Sequence, residues 1–550
     1  MKTLPEIFER SRRARFALIA LLLLFALSVS RTASAQAPTW TANNAYEAYT
    51  GYTSPDPMHP SYFFLGPNTY SWSDPNGNGK RYSIIVDQKG DKAWHTFWQE
   101  AEKIELAEDA YYWADKKKDS RLKSAYADQV NELCQGFIDK MWPDTNFGKG
   151  TPGRDKGADP YNWHGTDFKD TNYSSQHNPN AKSSGPGDWF NDDLMWAAIA
   201  FARAYQITRT GGWLEAAENQ VDYVWANAQA QTDASDGGTN GKVVALLQTF
   251  CNKNGGKDGD CDPVSASPTP SASTAAPHWA PNLDAEVNFT FVIAADLLAH
   301  NTTVKSKHYE NARDAVYAWA MANLYSETSK KAKDCSQAQA KAQGHPVTCA
   351  EIFDNNNAGP FNGEDGHWSK YEKSATPSDW DFTMNYGNAI QAAVRMGDKQ
   401  KAQNIANYLM YGLSNPRHPY VGVYHWDAKI SYNILPYYGP EDKVVINGVS
   451  TLVPANYDEG SNYAGSNGIA LRGVAYGLSR GDLDKTTLQW AQANVQAAWN
   501  NKNDDSVIWD DWTPGHITGK HRYPSVKTDY VYDSWDCSDA VAGLLTVPNP

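Results

Sequence analysis

Along this chain, a nearly all-apolar stretch of helical length is repeatedly followed, after a short break, by an amphipathic one. Residues 190–206, FNDDLMWAAIAFARAYQ, carry Leu194, Ala197, Ala198, Phe201, Ala202 and Tyr205 at helical spacing. They are apolar almost all round, as a helix covered on both sides must be. Gly211-Gly212 breaks the chain, and residues 213–228 follow with Leu214, Ala217, Val221, Val224 and Ala228 on one face. The same order recurs at 287–298 and 309–324, at 385–396 and 401–413, and at 468–478 and 486–499. An earlier pair covers 92–114 and 122–142, and 539–545 supply a last inner helix. Hairpins at such wide, irregular spacing predict one closed ring rather than an open solenoid, whose repeats are shorter and regular. The expected fold class is all-α, an (α/α)6 toroid or barrel of helical hairpins. Long loops and a few short β-hairpins complete it, with strand-like composition at 82–86 and 443–453.

The first 35 residues read as an address. Lys2, Arg10, Arg12, Arg13 and Arg15 precede an uncharged apolar run at 16–29, and Ala33-Ser34-Ala35 fits a small-residue cleavage site. The run is too short for a comfortable membrane span, and no Cys stands near the cleavage site to take a lipid. A secreted or periplasmic protein without a membrane anchor is expected. Residues 36–90 are expected as an N-terminal extended segment packing on the barrel. Residues 91–550 are expected to form the (α/α)6 domain, with loop insertions at 143–188 and 251–281. The first insertion is rich in Gly, Asn and Asp, and the second includes the low-complexity run VSASPTPSASTAAP. Loops this long inside a compact domain are usually functional or disordered.

Charge narrows the partner. The chain has 49 Lys+Arg against 63 Asp+Glu, a net charge of −14. Loss of residues 1–35 removes six positive and two negative charges and leaves −18. Such a surface does not suit nucleic acid, which is bound through clustered Lys and Arg. The chain also holds 21 Trp, 31 Tyr and 17 Phe. Aromatics in this number suit stacking on sugar rings, and equally suit large cores. A polysaccharide or oligosaccharide substrate is the expected partner, and the protein is expected as a monomer. Six cysteines in an oxidising compartment imply disulfides. Cys251 with Cys261 and Cys335 with Cys349 close short loops. A Cys134–Cys537 bond would join the first and last helices, as a ring requires. No cofactor and no metal site is expected: no CxxC occurs, His164 and His177 lack a second ligand at metal spacing, and the Asp74 turn lacks the Glu that closes a calcium loop.

Asp192-Asp193 carries the sharpest chemical signal. Two acids at a helix start are expected on electrostatic grounds alone, because the macrodipole and free N–H groups favour anions there. Two neighbouring carboxyl groups about 5 Å apart are also the arrangement of a retaining glycosidase. Crowding them raises one pKa, so that one acid keeps its proton.

The stretch Trp189-Phe190-Asn191-Asp192-Asp193-Leu194-Met195-Trp196, running into AIAFARAYQIT, resembles the signature of glycoside hydrolase family 76, the endo-α-1,6-mannanases. Asn385-Tyr386-Gly387-Asn388 resembles that family's Tyr-Asn-Gln-Gly element, and Asn288-Phe289 its Asn-containing inner helix. Gly468-Ile469 with Arg472 is similar to its Phe-Lys-Gly-Ile element, with Asn467 where the family has Lys. The resemblance implies an (α/α)6 barrel and retaining hydrolysis within an α-1,6-linked mannan or a related α-glycan. By the same resemblance Asp192 is the nucleophile and Asp193 the general acid/base. Trp189, Trp196, Asn288, Asn385 and Tyr386 are candidates to line sugar subsites. Weaker acids stand at Asp510-Asp511, Asp458-Glu459 and Asp379 with Asp381. Three other readings remain: a non-catalytic glycan-binding protein, a transglycosylase using the same acids, and a polysaccharide lyase or uronyl hydrolase. The last should show basic subsites, against the negative charge.

Overall fold

The computed structural model describes residues 40–51, 68–73, 81–86, 97–141, 191–227, 285–352, 382–414, 434–435, 441–446, 449–454, 465–502, 508, 512 and 534–549. The chain groups into two units, residues 1–40 with 549–550 and residues 41–548, and every element below belongs to the second. The leader segment, both loop insertions and Cys251–Cys261 lie outside the described residues.

Six helices form an inner ring: α2 (Phe97–Lys117), α4 (Asn191–Thr208), α6 (Ala285–Asn301), α9 (Thr383–Arg395), α11 (Ser466–Arg480) and α13 (Ser534–Thr546). Each packs on the next, and α13 packs back on α2, so the ring closes. Their outer partners are α3 (Ser120–Met141), α5 (Gly211–Asn227), α7 (Ser306–Asn323), α10 (Lys399–Tyr408) and α12 (Lys485–Asn500). The all-α toroid expected from the periodicity is therefore the fold, and every predicted hairpin is present. Inner helices are buried nearly all round; in α6 the buried run extends from Val287 to Ala299. Starts are set locally: the Asp398 carboxylate accepts the Lys401 N–H and Asp484 the Thr487 N–H, filling the free donors of a first turn.

The sixth outer position holds a helix rather than an extended segment. α1 (Ala42–Gly51) packs on α13. Its buried residues Ala42, Ala45, Tyr46 and Tyr49 recur at three- and four-residue spacing, the stripe of an amphipathic helix. Tyr46 also donates to Gln129 of α3 (2.8 Å). Two antiparallel ribbons lie outside the ring plan, β1 (Asn68–Ser73) with β2 (Arg81–Val86), and β5 (Glu441–Ile446) with β6 (Val449–Pro454). Between the third and fourth hairpins, β3 (Tyr325–Ser326) pairs with β4 (Glu351–Ile352) around α8 (Lys330–Gln343). The predicted Cys335–Cys349 disulfide ties that helix to the return strand. Cys134 and Cys537 do not bond to each other. The first and last inner helices meet as expected, and Cys134 stands on outer helix α3 near Glu108.

Inner helices run in one direction. Across α2 and α4, Trp98 lies beside Trp196 and Glu105 beside Arg203. Across α11 and α13, Gly468 lies against Asp539 and Leu471 against Gly543. All inner N-termini thus share one end of the ring. Between α9 and α11 the two backbones touch through glycine. A Cβ on Gly473 would run into the Gly387 carbonyl oxygen, and one on Gly387 would stand 2.5 Å from the Ala470 Cα. Backbone cannot give way as a side chain can, so Gly473→Ala is expected to destabilise by about 3 kcal/mol or more. Urea unfolding reads this directly; a loss under about 1 kcal/mol would mean the helices can separate.

Candidate active site

The first turn of α4 places Asp192 and Asp193 at the end of the ring where the inner helices begin, and both are buried. Free N–H groups and the positive end of the helix dipole favour anions at this point. Asp192 does use them: backbone N–H groups of Asp192 and Asp193 donate to its carboxylate. Capping is therefore real, but it does not account for the whole side chain. Asp192 Oδ1 is buried with no partner among the described residues. Burial, the largest influence, pushes the Asp192 pKa up from 3.8 to about 7. The sequence pattern suggested crowding by the neighbouring acid; at Asp192 the largest cause is removal from water.

A third acid, Glu286, completes the local arrangement. It stands in the first turn of α6, the next inner helix, and hydrogen-bonds to Asp192. Its Oε1 accepts the Trp196 indole N–H at 3.0 Å. Sequence reasoning missed Glu286, although an acid two residues before Asn288 at the start of an apolar inner helix repeats the placement of Asp192.

The other candidates divide. Trp196 is 2% exposed, so it serves as an anchor for Glu286 rather than an open stacking face. Asn288 is wholly buried one position past Val287 on α6. Asn385, in the first turn of α9, is buried with neither its amide nitrogen nor its oxygen paired among the described residues, and Asn388 Nδ2 is in the same state. A buried amide with no partner is costly, which makes Asn385 a strong subsite candidate. Tyr386 is a correction: its ring stacks on Tyr408 of outer helix α10, and its hydroxyl donates to the Ile352 carbonyl (3.3 Å). It belongs to the wall. Trp189, the Asp510-Asp511 pair, Asp458-Glu459, Asp379 and Asp381 lie outside the described residues.

Two further buried polar residues have structural tasks. Asp539 of α13 accepts the backbone N–H groups of Gly465 (3.0 Å) and Gly468, capping α11, while burial lifts its pKa to about 7. Asn467 accepts from the Thr383 hydroxyl (2.9 Å), joining the starts of α9 and α11. Among the described residues no group of three or more His, Cys, Asp or Glu is placed to hold a metal ion. No described helix is long and apolar enough to cross a membrane.

Compared with known proteins, the chain matches no protein-family model and no curated protein. Among solved structures it is similar to an inactive double-aspartate variant of the α-1,6-mannanase of Salegentibacter sp. HEL1_6 in complex with α-1,6-mannotetrose. That match has 12% identity and a TM-score of 0.47, over 92% of this chain and 96% of the other. A family 76 glycoside hydrolase (mannosidase) of Bacteroides thetaiotaomicron VPI-5482 matches at 12% identity and a TM-score of 0.46, over 92% and 96%. Dfg5 of Chaetomium thermophilum in complex with glucosamine matches at 13% identity and a TM-score of 0.41, over 92% and 88%.

Proposed function

We propose that this protein is an exported retaining glycoside hydrolase that cuts internal α-1,6-mannosidic linkages of mannan or a related α-glycan. The observation that carries this reading is the adjacent, buried Asp192-Asp193 pair in the first turn of an inner helix, with one Asp192 oxygen left without a partner among the described residues. The family-like motif around the pair supplies the linkage. An Asp192 carboxylate oxygen bonds to the anomeric carbon as the glycosidic C–O bond breaks, and Asp193 gives its proton to the departing oxygen. Asp193, now a base, takes a proton from water. The water oxygen then bonds to the anomeric carbon and releases Asp192, so two inversions give net retention.

Proton NMR of the purified protein with unbranched α-1,6-mannan, followed from the earliest time points, tests the proposal. New α-anomeric signals should appear first and mutarotate later. New β-anomers first would mean inversion, with the base elsewhere than in this close pair. No cleavage would remove the substrate assignment.

A further inference from the structure

The geometry points to Glu286 as the positioning residue for Asp192: it carries a proton, donates it in a hydrogen bond to the Asp192 carboxylate, and is itself held by the Trp196 indole. The inference rests on the proposed catalytic role of Asp192, which it deepens.

Three contacts fix the arrangement. Asp192 and Trp196 are four residues apart on α4 and so lie on one face of it. The Trp196 indole can only donate, so the Glu286 oxygen it reaches, Oε1 at 3.0 Å, must be an acceptor. The Glu286 side chain also hydrogen-bonds to Asp192. Two ionised carboxylates are both acceptor-only, so this bond exists only if one of them holds a proton. Backbone N–H groups of Asp192 and Asp193 already donate to Asp192, and the positive end of the α4 dipole lies beneath it. Each acid stands at the start of its helix, so the dipoles cancel, but two backbone donors favour charge on Asp192 against one indole donor on Glu286, and the shared proton belongs on Glu286.

No cation on the described elements that pack against α6 disturbs this assignment. On α4 the acid that meets Glu286 is Asp192, and Arg203 is engaged by Glu105, Glu108 and Asp109 of α2. The facing start of α9 carries Thr383, Met384, Asn385, Tyr386 and Asn388, and none has a charge at neutral pH. Arg313 of α7 and Arg395 of α9 are both engaged by Asp296, ten residues further along α6. Glu218 and Asp222 of α5 are taken by Lys305, beyond the far end of α6. The proton on Glu286 therefore opposes the burial of Asp192 and keeps a larger share of it ionised for attack.

The test compares Glu286→Ala with Glu286→Gln. Glutamine keeps both bonds, its amide nitrogen donating to Asp192 and its oxygen accepting from Trp196. The direct readout is the carboxyl carbon of Asp192 in aspartate-labelled protein, assigned by its loss in Asp192→Asn and titrated without substrate. In Glu286→Ala the Asp192 titration should move up by about one pH unit, which is a tenfold loss of ionised form below the midpoint. In Glu286→Gln it should return toward the native position. Trp196→Phe, which frees Glu286 without removing it, should move it the same way by less, and serves if Glu286→Ala does not fold. On mannan, the acid limb of kcat/KM should follow the same order. An unmoved Asp192 titration in the alanine and phenylalanine variants would overturn the inference, as would equal shifts for alanine and glutamine. If the titrations move as expected while the native protein leaves mannan uncut, the role of Glu286 stands and the substrate assignment falls.

Discussion

Asp192→Asn is expected to lower kcat/KM on α-1,6-mannan by about four to six orders of magnitude, the range seen when an enzyme loses its nucleophile. Asp193→Asn should remove the smaller contribution of a proton donor, about two to four orders. The pH profile of the native protein separates their roles. In the proposed mechanism Asp192 attacks only when ionised, and burial places its pKa at about 7. Activity should therefore rise with pH through about 7, tenfold per pH unit on the acid side. A profile that instead falls through 7 would make Asp192 the proton donor and exchange the two assignments. Stability gives an independent check that the asparagine variant is folded. An aspartate whose folded pKa exceeds its unfolded value binds more protons folded than unfolded between about pH 4 and 7. Stability is lost as pH rises across that window. Asparagine escapes that loss, so Asp192→Asn should match the native protein near pH 4 and be more stable at pH 8. At about 1.4 kcal/mol for each tenfold change in proton affinity, the gain is bounded at about 4 kcal/mol.

The second large effect lies deeper in the ring. Glu102, Glu105, Glu108 and Asp109 of α2 meet Arg203 of α4 and Arg472 of α11, all of them buried. Arg203 pairs with Glu105, with Glu108 (3.1 Å) and with Asp109 (2.5 Å). Arg472 pairs with Glu102 (2.7 Å) and Asp109 (2.8 Å). Burial lifts Glu102 to about 8 and Glu108 well above the usual carboxylate range. Protons held there take two negative charges out of an uneven cluster. Arg472→Met strands the acids it served and should cost about 3–5 kcal/mol in urea unfolding. Glu102→Gln, which replaces a group already protonated at pH 7, should cost much less. Comparable losses from the two would show that Glu102 is charged in the folded protein. Between about pH 4.5 and 8, Glu102 should also make native stability fall as pH rises. Across that window the folded state keeps a proton that the unfolded state has released, and above it the loss levels off.

How far the sequence reaches can be judged residue by residue. The hairpins were legible because an inner helix needs apolar residues on every side, and FNDDLMWAAIAFARAYQ has no other use for them. α1 was not, because ten residues from one end of the chain complete a hairpin whose inner helix lies at the other end. Asp192 announced itself by position. Glu286 and Asp539 did not, since an acid at a helix start looks like a cap until its neighbour across the ring is known. Asn385 and Tyr386 show the limit of motifs: adjacent residues on a helix point about 100° apart, and the pattern does not say which one faces inward. Arg472 stood in the sequence only as part of a family-like motif, and in the structure it holds α11 to α2. Elimination among six cysteines suggested a Cys134–Cys537 bond, but leftover partners need not be neighbours.

The buried charges also constrain how this chain can change over generations. Each arginine serves several acids, and Asp109 serves both arginines, so removing Asp109 or either arginine leaves another charge in a medium that cannot solvate it. A route from this cluster to an apolar filling passes through intermediates less stable than either end. Substitutions at Asp109, Arg203 and Arg472 should therefore be accepted together or not at all, and a relative that lacks one of them should have altered its partners as well.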